Sequence, residues 1–108
     1  MTFDLQKAYD FTGKTFAVTG GAGVLGSEVV VALAGQGANV MILDLRLSGV
    51  AAIQERLGAR AEQVATWETD VLGRESLETA REAIRRRFGP LYGLVNAAGG
   101  NSPQATVS

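Results

Sequence analysis

The chain has 108 residues, and its 10 basic and 11 acidic side chains give a formal net charge of −1. This balance argues against nucleic-acid binding, because no excess of basic side chains is available to replace counterions. Cysteine and histidine are both absent, which excludes disulfides, Cys/His zinc sites and histidine-based triads within these residues. No apolar run approaches the length of a membrane span, and the acidic N-terminus argues against a secretory signal. We therefore expect a cytoplasmic protein with no membrane partner, in which residues 1–108 form one small folding unit.

Short apolar runs alternate with longer amphipathic stretches along the whole chain. In chain order, the sequence predicts a strand at 15–19, a helix at 24–36, a strand at 39–43, a helix at 48–58, a strand at 63–67, a helix at 74–88 and a strand at 91–95. Gly37 ends the first helix, Ser48 is a candidate N-cap for the second, and Gly89-Pro90 ends the third. The third helix is the clearest, because apolar residues recur in it at three- and four-residue spacing.

This alternation of strands and helices predicts the fold class. Apolar strands joined by helical crossovers form a parallel sheet that is covered on both faces. Because such crossovers are right-handed, the expected fold is α/β, with a doubly wound, Rossmann-like parallel sheet. Phe16, Met41, Trp67 and Phe88 are predicted to lie in its core.

A glycine-rich segment stands between the first strand and the first helix. Gly21, Gly23 and Gly26 match the pattern G-x-G-x-x-G. Unpaired amides at a helix N-terminus bind phosphate groups, and glycines let the backbone come close to them. Asp44 follows Gly26 by 18 positions, at the end of the second strand, which suits a carboxylate that binds ribose. A P-loop, the phosphate-binding motif G-x-x-x-x-G-K-[ST], is disfavoured, since Ser27 stands where that motif needs lysine. The alternative is a glycine-rich turn with no ligand.

Four motifs at the ends of the predicted strands resemble the short-chain dehydrogenase/reductase family. They are Thr19-Gly20…Gly26, Asp44, Asp70-Val71 and Asn96-Ala97-Ala98-Gly99. The resemblance covers the chain from Gly13 onward and implies a strand order of 3-2-1-4. It also implies that the chain is the N-terminal, dinucleotide-binding portion of a longer single-domain enzyme, truncated before the catalytic half.

The glycine motif leaves two branches of the family open. The single-domain branch has T-G-x-x-x-G-x-G, which would place glycine where this chain has Val24. The motif fits the extended branch of nucleotide-sugar epimerases and dehydratases, which stays the alternative. Asn96-Ala97-Ala98-Gly99 is similar to the single-domain branch and favours that branch. A narrower similarity, over 19–26 and 98–106, is to the D-mannonate oxidoreductase or fructuronate reductase subgroup. That subgroup implies a small-molecule substrate, a sugar acid or polyol such as D-mannonate or D-fructuronate.

The resemblance assigns roles to individual residues. The cofactor-binding set that it implies is Gly20, Gly21, Ala22, Gly23, Val24, Leu25, Gly26, Asp44, Leu45, Asp70, Val71, Asn96, Ala97, Ala98 and Gly99. In it, Asp44 binds the adenosine ribose and repels a 2′-phosphate, which favours NAD over NADP, although Arg46 nearby is able to receive a phosphate. Asp70 accepts a hydrogen bond from adenine, with Val71 beside it. Asn96 steadies the sheet near the cofactor.

Each of these roles has a structural alternative. Asp44 is also suited to a turn or a helix cap, and Asp70 to the N-cap of the third helix. The small residues at 97–99 are compatible with tight packing alone. Thr19 is expected to hold the glycine loop by hydrogen bonding, a structural role in either case.

The catalytic residues of the family do not occur in this chain. The family uses a serine and a Tyr-x-x-x-Lys pair, in which the tyrosine acts as general acid and base during hydride transfer. Tyr9 and Tyr92 are followed four residues later by Gly13 and Asn96, so neither matches. We therefore expect this 108-residue chain to be inactive alone and the full-length protein to be an NAD-dependent homo-oligomer. A non-catalytic dinucleotide-binding module remains the alternative outside enzymes.

Overall fold

The computed structural model describes residues 10–97 of the chain. In chain order the elements are β1 (Thr15–Thr19), α1 (Val24–Gly35), β2 (Asn39–Asp44), α2 (Val50–Leu57), a 3₁₀ helix (Gly58–Gln63), β3 (Val64–Glu68), α3 (Arg74–Phe88) and β4 (Gly93–Asn96). The predicted cofactor residues Ala98 and Gly99 lie outside the described residues. Every predicted strand and helix is present.

The four strands form one parallel sheet in the order β3-β2-β1-β4. This order confirms the doubly wound, Rossmann-like fold. Thr19, the last residue of β1, is paired with Leu43 of β2 and with Asn96 of β4. The carboxyl ends of the strands therefore meet at one edge, where open α/β sheets bind their ligands.

Helices cover both faces of the sheet. On one face, α1 and α2 bury Val30, Ala34 and Ile53 against apolar side chains of the strands. On the other, α3 buries Ala80 and Ile84. Alternate strand residues supply the two layers, as the pleat of a strand requires.

Three of the four predicted core aromatic and methionine residues pack as expected. Phe16 and Met41 are buried, and Phe88 packs half-buried against the layer beneath α3. The prediction for Trp67 is wrong, since its exposed fraction is 39%. Trp67 lies on β3, which is the edge strand of the sheet, and α3 covers it incompletely.

Several element boundaries differ from the sequence prediction. Ser48 is not the N-cap of α2, because Gly49 occupies that position without a side-chain cap. Gln63 belongs to a 3₁₀ helix rather than to β3, and its side chain donates to the carbonyl of Ala38 at 3.1 Å. α1 ends one residue before the predicted Gln36. β4 starts at Gly93, two residues later than predicted.

One exposed ion pair joins the two helices on the same face. The guanidinium of Arg56 on α2 donates to both carboxylate oxygens of Glu28 on α1, at 2.9 and 3.2 Å. These hydrogen bonds and the adjacent positive charge hold the pKa of Glu28 below its ordinary value. None of the helices within residues 10–97 combines the length and the apolar character needed to cross a membrane.

Candidate cofactor site

The predicted site residues that the structure describes gather at the carboxyl edge of the sheet. The glycine loop follows β1, Asp44 ends β2, Asp70 follows β3 and Asn96 ends β4. The sheet therefore brings together four segments that are separated by up to 76 positions in the sequence. Among residues 10–97, no group of three metal-ligating side chains is present.

The glycine loop turns sharply from β1 into α1. The amide of Gly20 donates to the carbonyl of Leu43 at 2.8 Å, which continues the β1–β2 pairing by one residue. Gly20 then adopts a positive φ of 69°, a conformation that favours glycine. Its carbonyl accepts from the amide of Gly23 at 3.1 Å, which closes the turn.

Gly26 is required by the packing of the helix on this turn. A Cβ atom at Gly26 would lie 2.0 Å from the carbonyl oxygen of Gly20 and 2.8 Å from the Cα of Gly21. Gly26 thus lets α1 pack tightly on the end of β1. Gly21 is also restricted, because a Cβ there would lie 3.0 Å from a methyl group of Ile42.

Gly23 is different, because the fold does not require a glycine at this position. It is the N-cap of α1, with an ordinary φ of −79°. A Cβ on Gly23 would find its nearest neighbour, the carbonyl oxygen of Gly20, at 3.4 Å, which is an ordinary contact. Because Gly23 has no side chain, the N-terminal end of α1 at residues 23–26 stays open to solvent. We call this end the helix mouth.

The first turn of α1 presents backbone amides to this open mouth. The amides of Val24, Leu25 and Gly26 have no carbonyl four residues back within the helix. Over the described part of the chain, no side chain caps this helix and no acidic residue lies in its first turn. Val24 is 89% exposed and Leu25 is 66% exposed. The partial positive charge of the helix end is therefore accessible to an anion.

Asp44 holds its carboxylate beside the glycine loop. One carboxylate oxygen accepts from the amide of Ala22 and the other from the amide of Arg46, each at 3.2 Å. Asp44 is half-buried, whereas Leu45 and Arg46 are exposed. The turn role considered for Asp44 is thus present, yet each carboxylate oxygen keeps capacity for a further donor.

Asp70 lies in the loop after β3 and does not cap α3. Its carboxylate accepts from the amide of Leu72 at 3.0 Å, and its own amide donates to the hydroxyl of Ser76 at 2.8 Å. The N-cap of α3 is Gly73, so the N-cap alternative for Asp70 is wrong. Beside it, Val71 is half-buried.

Thr19 joins two strands rather than holding the glycine loop. Its hydroxyl donates to the side-chain oxygen of Asn96 at 2.7 Å, and its carbonyl accepts from the amide of Ala97 at 2.9 Å. The predicted role of Thr19 is therefore wrong, because the register between β1 and β4 places Asn96 directly opposite it. The bond fixes the side chain of Asn96 at the carboxyl edge.

One further residue that shapes the site was not predicted from the sequence. Gly49 packs against the glycine loop, and a Cβ there would lie 2.8 Å from the carbonyl oxygen of Ala22. The one feature of the sequence that could have predicted this contact is that a glycine stands at the start of a predicted helix. Gly49 allows α2 to begin close beside the loop.

Comparison with known proteins decides the family. The family model described as short chain dehydrogenase matches residues 14–108. The chain belongs to the short-chain dehydrogenase family. It therefore shares the Rossmann nucleotide-binding fold of a family of oxidoreductases.

Relatives within the short-chain dehydrogenase family include bacterial oxidoreductases. An uncharacterised oxidoreductase of Bacillus subtilis, UxuB, is 40% identical over 96 residues, covering 89% of this chain and 34% of its own length. D-threitol dehydrogenase of Mycolicibacterium smegmatis is 33% identical, covering 89% of this chain and 38% of its own length. The chain thus spans about a third of the length of these relatives.

A solved short-chain dehydrogenase structure resembles the whole described fold. The crystal structure of a candidate D-mannonate oxidoreductase from Haemophilus influenzae, with bound NAD, superposes with a TM-score of 0.79 and 30% sequence identity. The match covers 95% of this chain and 37% of that one.

Proposed function

We propose that this chain forms the NAD-binding part of an oxidoreductase that transfers hydride between a nicotinamide cofactor and a secondary alcohol or ketone. The observation that carries the proposal is the open helix mouth at Gly23 beside the carboxylate of Asp44. The mouth offers backbone amides to a pyrophosphate, and the carboxylate offers acceptors to the neighbouring ribose. The bound dinucleotide supplies the hydride chemistry.

The residues present fit such a cofactor. Gly23 has a backbone conformation that alanine also adopts, so turning alone does not explain its missing side chain. An anion at the helix mouth does explain it, since a methyl group there would project into the space that a phosphate occupies. The absence of an acidic side chain from the first turn of α1 is consistent with a negatively charged ligand.

Asp44 supports NAD rather than NADP as the cofactor. Its carboxylate is held in place by two backbone amides and would repel the 2′-phosphate of NADP. Arg46 is exposed, and its backbone amide is engaged by Asp44. Asp70 and Val71 are proposed to lie against the adenine, with Asn96 and the small residues at 97–99 beside the adenosine.

A sugar acid or polyol is the proposed substrate class. It is supported by the similarity to a candidate D-mannonate oxidoreductase and to a D-threitol dehydrogenase. The oxidoreductase relatives favour this reaction over that of the epimerases and dehydratases. Because no catalytic Tyr-x-x-x-Lys pair occurs in residues 1–108, we propose that these residues bind the cofactor without catalysing the reaction alone.

Calorimetric titration with NADH and NADPH tests the cofactor assignment. The unmodified protein is expected to bind NADH at least about tenfold more tightly than NADPH, since an uncompensated like charge is costly. Asp44→Ala should remove most of this preference, and Asp44→Arg should reverse it. Glu55→Ala, an exposed carboxylate on α2, is the matched control and should leave the preference unchanged. Equal affinities for the two cofactors in the unmodified protein would contradict the assignment of Asp44.

A further inference from the structure

A groove of about 680 Å³ lies between α3 and the edge strand β3. It opens on the face of the sheet opposite α1 and α2. None of its lining residues belongs to the candidate cofactor site. Its volume lies within the range of small-molecule sites in proteins. The proposed function gives this groove no role.

The groove has an apolar floor and one aromatic side chain. Met41 and Ala65 of the sheet form the floor, Ala83 lines the groove from α3, and Trp67 supplies the aromatic ring. Trp67 is 39% exposed although the sequence pattern predicts a buried side chain. An indole face that is left partly open beside an apolar floor offers a stacking surface for a flat ring.

The charges around the groove leave one cation without a partner. Both acidic residues of the lining are already paired: Glu82 with Arg86 at 3.3 Å, and Glu78 with Arg74 at 3.5 Å. Arg87 also lines the groove but takes part in none of the ion pairs formed within residues 10–97. Its exposed guanidinium lies 5.5 Å from the ring centroid of Phe88, a cation–π contact that leaves its N–H donors available to a carboxylate.

We propose that this groove is a second ligand site, which takes a small planar aromatic carboxylate. The ring would lie against Trp67 and over the apolar floor, and the carboxylate would pair with Arg87. A planar guanidinium matches a carboxylate through two parallel hydrogen bonds. A neutral aromatic molecule cannot form the ion pair with Arg87, and a non-aromatic acid cannot stack on Trp67. The site therefore selects a molecule that has both an aromatic ring and a carboxylate.

Trp67 reports directly on occupancy, because it is the only tryptophan in the chain. The probe is 2-naphthoate, followed through the indole N–H resonance of Trp67, which Trp67→Phe identifies. A saturable shift of that resonance is expected with 2-naphthoate. The neutral 2-naphthamide and the non-aromatic cyclohexanecarboxylate should each bind about tenfold more weakly. Equal affinity for 2-naphthoate and 2-naphthamide, or no shift at saturation, would overturn the proposal.

A pair of arginine variants on α3 locates the charge that matters. Arg87→Gln should weaken 2-naphthoate binding about tenfold, whereas Arg85→Gln, on the same helix but outside the groove, should leave it unchanged. NADH titration in parallel should give the same affinity for both variants, because the cofactor edge lies elsewhere. An equal effect of the two variants on 2-naphthoate would contradict the assignment. If the unmodified protein does not bind NADH, the proposed function is contradicted, whereas the proposal for the groove is not affected.

Discussion

The glycines in the loop after β1 are present for two different reasons, close packing at one position and open space at another. Gly26 is needed by the fold, since a Cβ there would lie 2.0 Å from the carbonyl oxygen of Gly20. Gly23 is not, since its backbone is ordinary and its surroundings are open. The G-x-G-x-x-G pattern therefore combines two requirements. Gly26 is needed for packing, and Gly23 leaves space for the proposed phosphate, so substitutions at the two positions can separate them.

Two glycine-to-alanine substitutions should separate these requirements. Gly26→Ala is expected to destabilise the fold by about 3 kcal/mol, because the Cβ overlaps backbone that cannot move away cheaply. Gly23→Ala should cost at most about 1 kcal/mol but should weaken NADH binding about tenfold or more, because the methyl group enters the proposed phosphate space. Urea denaturation and calorimetric titration measure the two effects.

Gly35→Ala is the control for this series. It lies on the same helix as Gly26, and a Cβ there meets no atom within 4 Å. The substitution should be neutral, or stabilise by up to about 1 kcal/mol through lower chain entropy in the unfolded state. Gly23→Ala protein that is stable and binds NADH normally would contradict the role given to the helix mouth.

The position of a site residue was predictable from the sequence when that residue directly follows a predicted strand. The spacing from Gly26 to Asp44 sufficed to place both at the same edge of the sheet. The partner of Thr19 was not predictable, because it depends on the register between β1 and β4. The bond from Thr19 to Asn96 joins residues 77 positions apart, and no local pattern encodes it.

At the scale of elements, hydrophobic periodicity predicted every α-helix and strand but not each boundary. α3 extends over Arg74–Phe88, as its pattern predicts, because its apolar face and its Gly-Pro end are local signals. The segment after α2 was missed. It forms a 3₁₀ helix whose Arg60 and Gln63 donate to the carbonyls of Ala34 and Ala38, and these are tertiary contacts.

The ion pair between α1 and α2 gives a prediction for acid pH. Hydrogen bonds from Arg56, and then its charge, lower the pKa of Glu28 below the ordinary value of 4.5. A carboxyl whose pKa is lowered by folding stabilises the protein above its unfolded pKa, and the contribution is lost as pH falls through the folded pKa. Unmodified protein should thus have a slightly higher urea midpoint than Glu28→Gln at neutral pH, and the difference should vanish in acid.

The difference should be small, because both side chains are exposed, and it should shrink further in high salt. Glu55→Gln on α2 is the control, since Glu55 joins none of the ion pairs within residues 10–97. A midpoint difference for Glu28→Gln that stays constant from neutral to acid pH would show that the pair does not act through this titration.

At the scale of the whole molecule, the fold class and strand order were predictable. Alternating strands and helices imply a parallel sheet, and the family resemblance supplied the order that the structure confirms. The exposure of Trp67 was not predictable, because it depends on how far α3 extends over the edge of the sheet. At the other edge, β4 pairs only with β1 among the described strands.

Within residues 10–97, β4 is an edge strand, and this edge predicts self-association of the 108-residue chain. Leu94 on this strand is 62% exposed and Leu91, just before it, is 45% exposed, and an apolar edge strand is a template for pairing. Light scattering at increasing concentration should show dimers or larger species, and Leu94→Lys should return the chain to monomer. Leu72→Lys changes a leucine that is 93% exposed in the loop before α3, and should have no effect. A chain that remains monomeric at high concentration would contradict this expectation.

A crystal structure of the protein soaked with NADH tests the central claim most directly. The pyrophosphate should lie within hydrogen-bonding distance of the amides at 24–26, with a ribose hydroxyl on the carboxylate of Asp44. A crystal in which NADH binds away from the carboxyl edge of the sheet, or leaves that edge empty at saturating concentration, would contradict it.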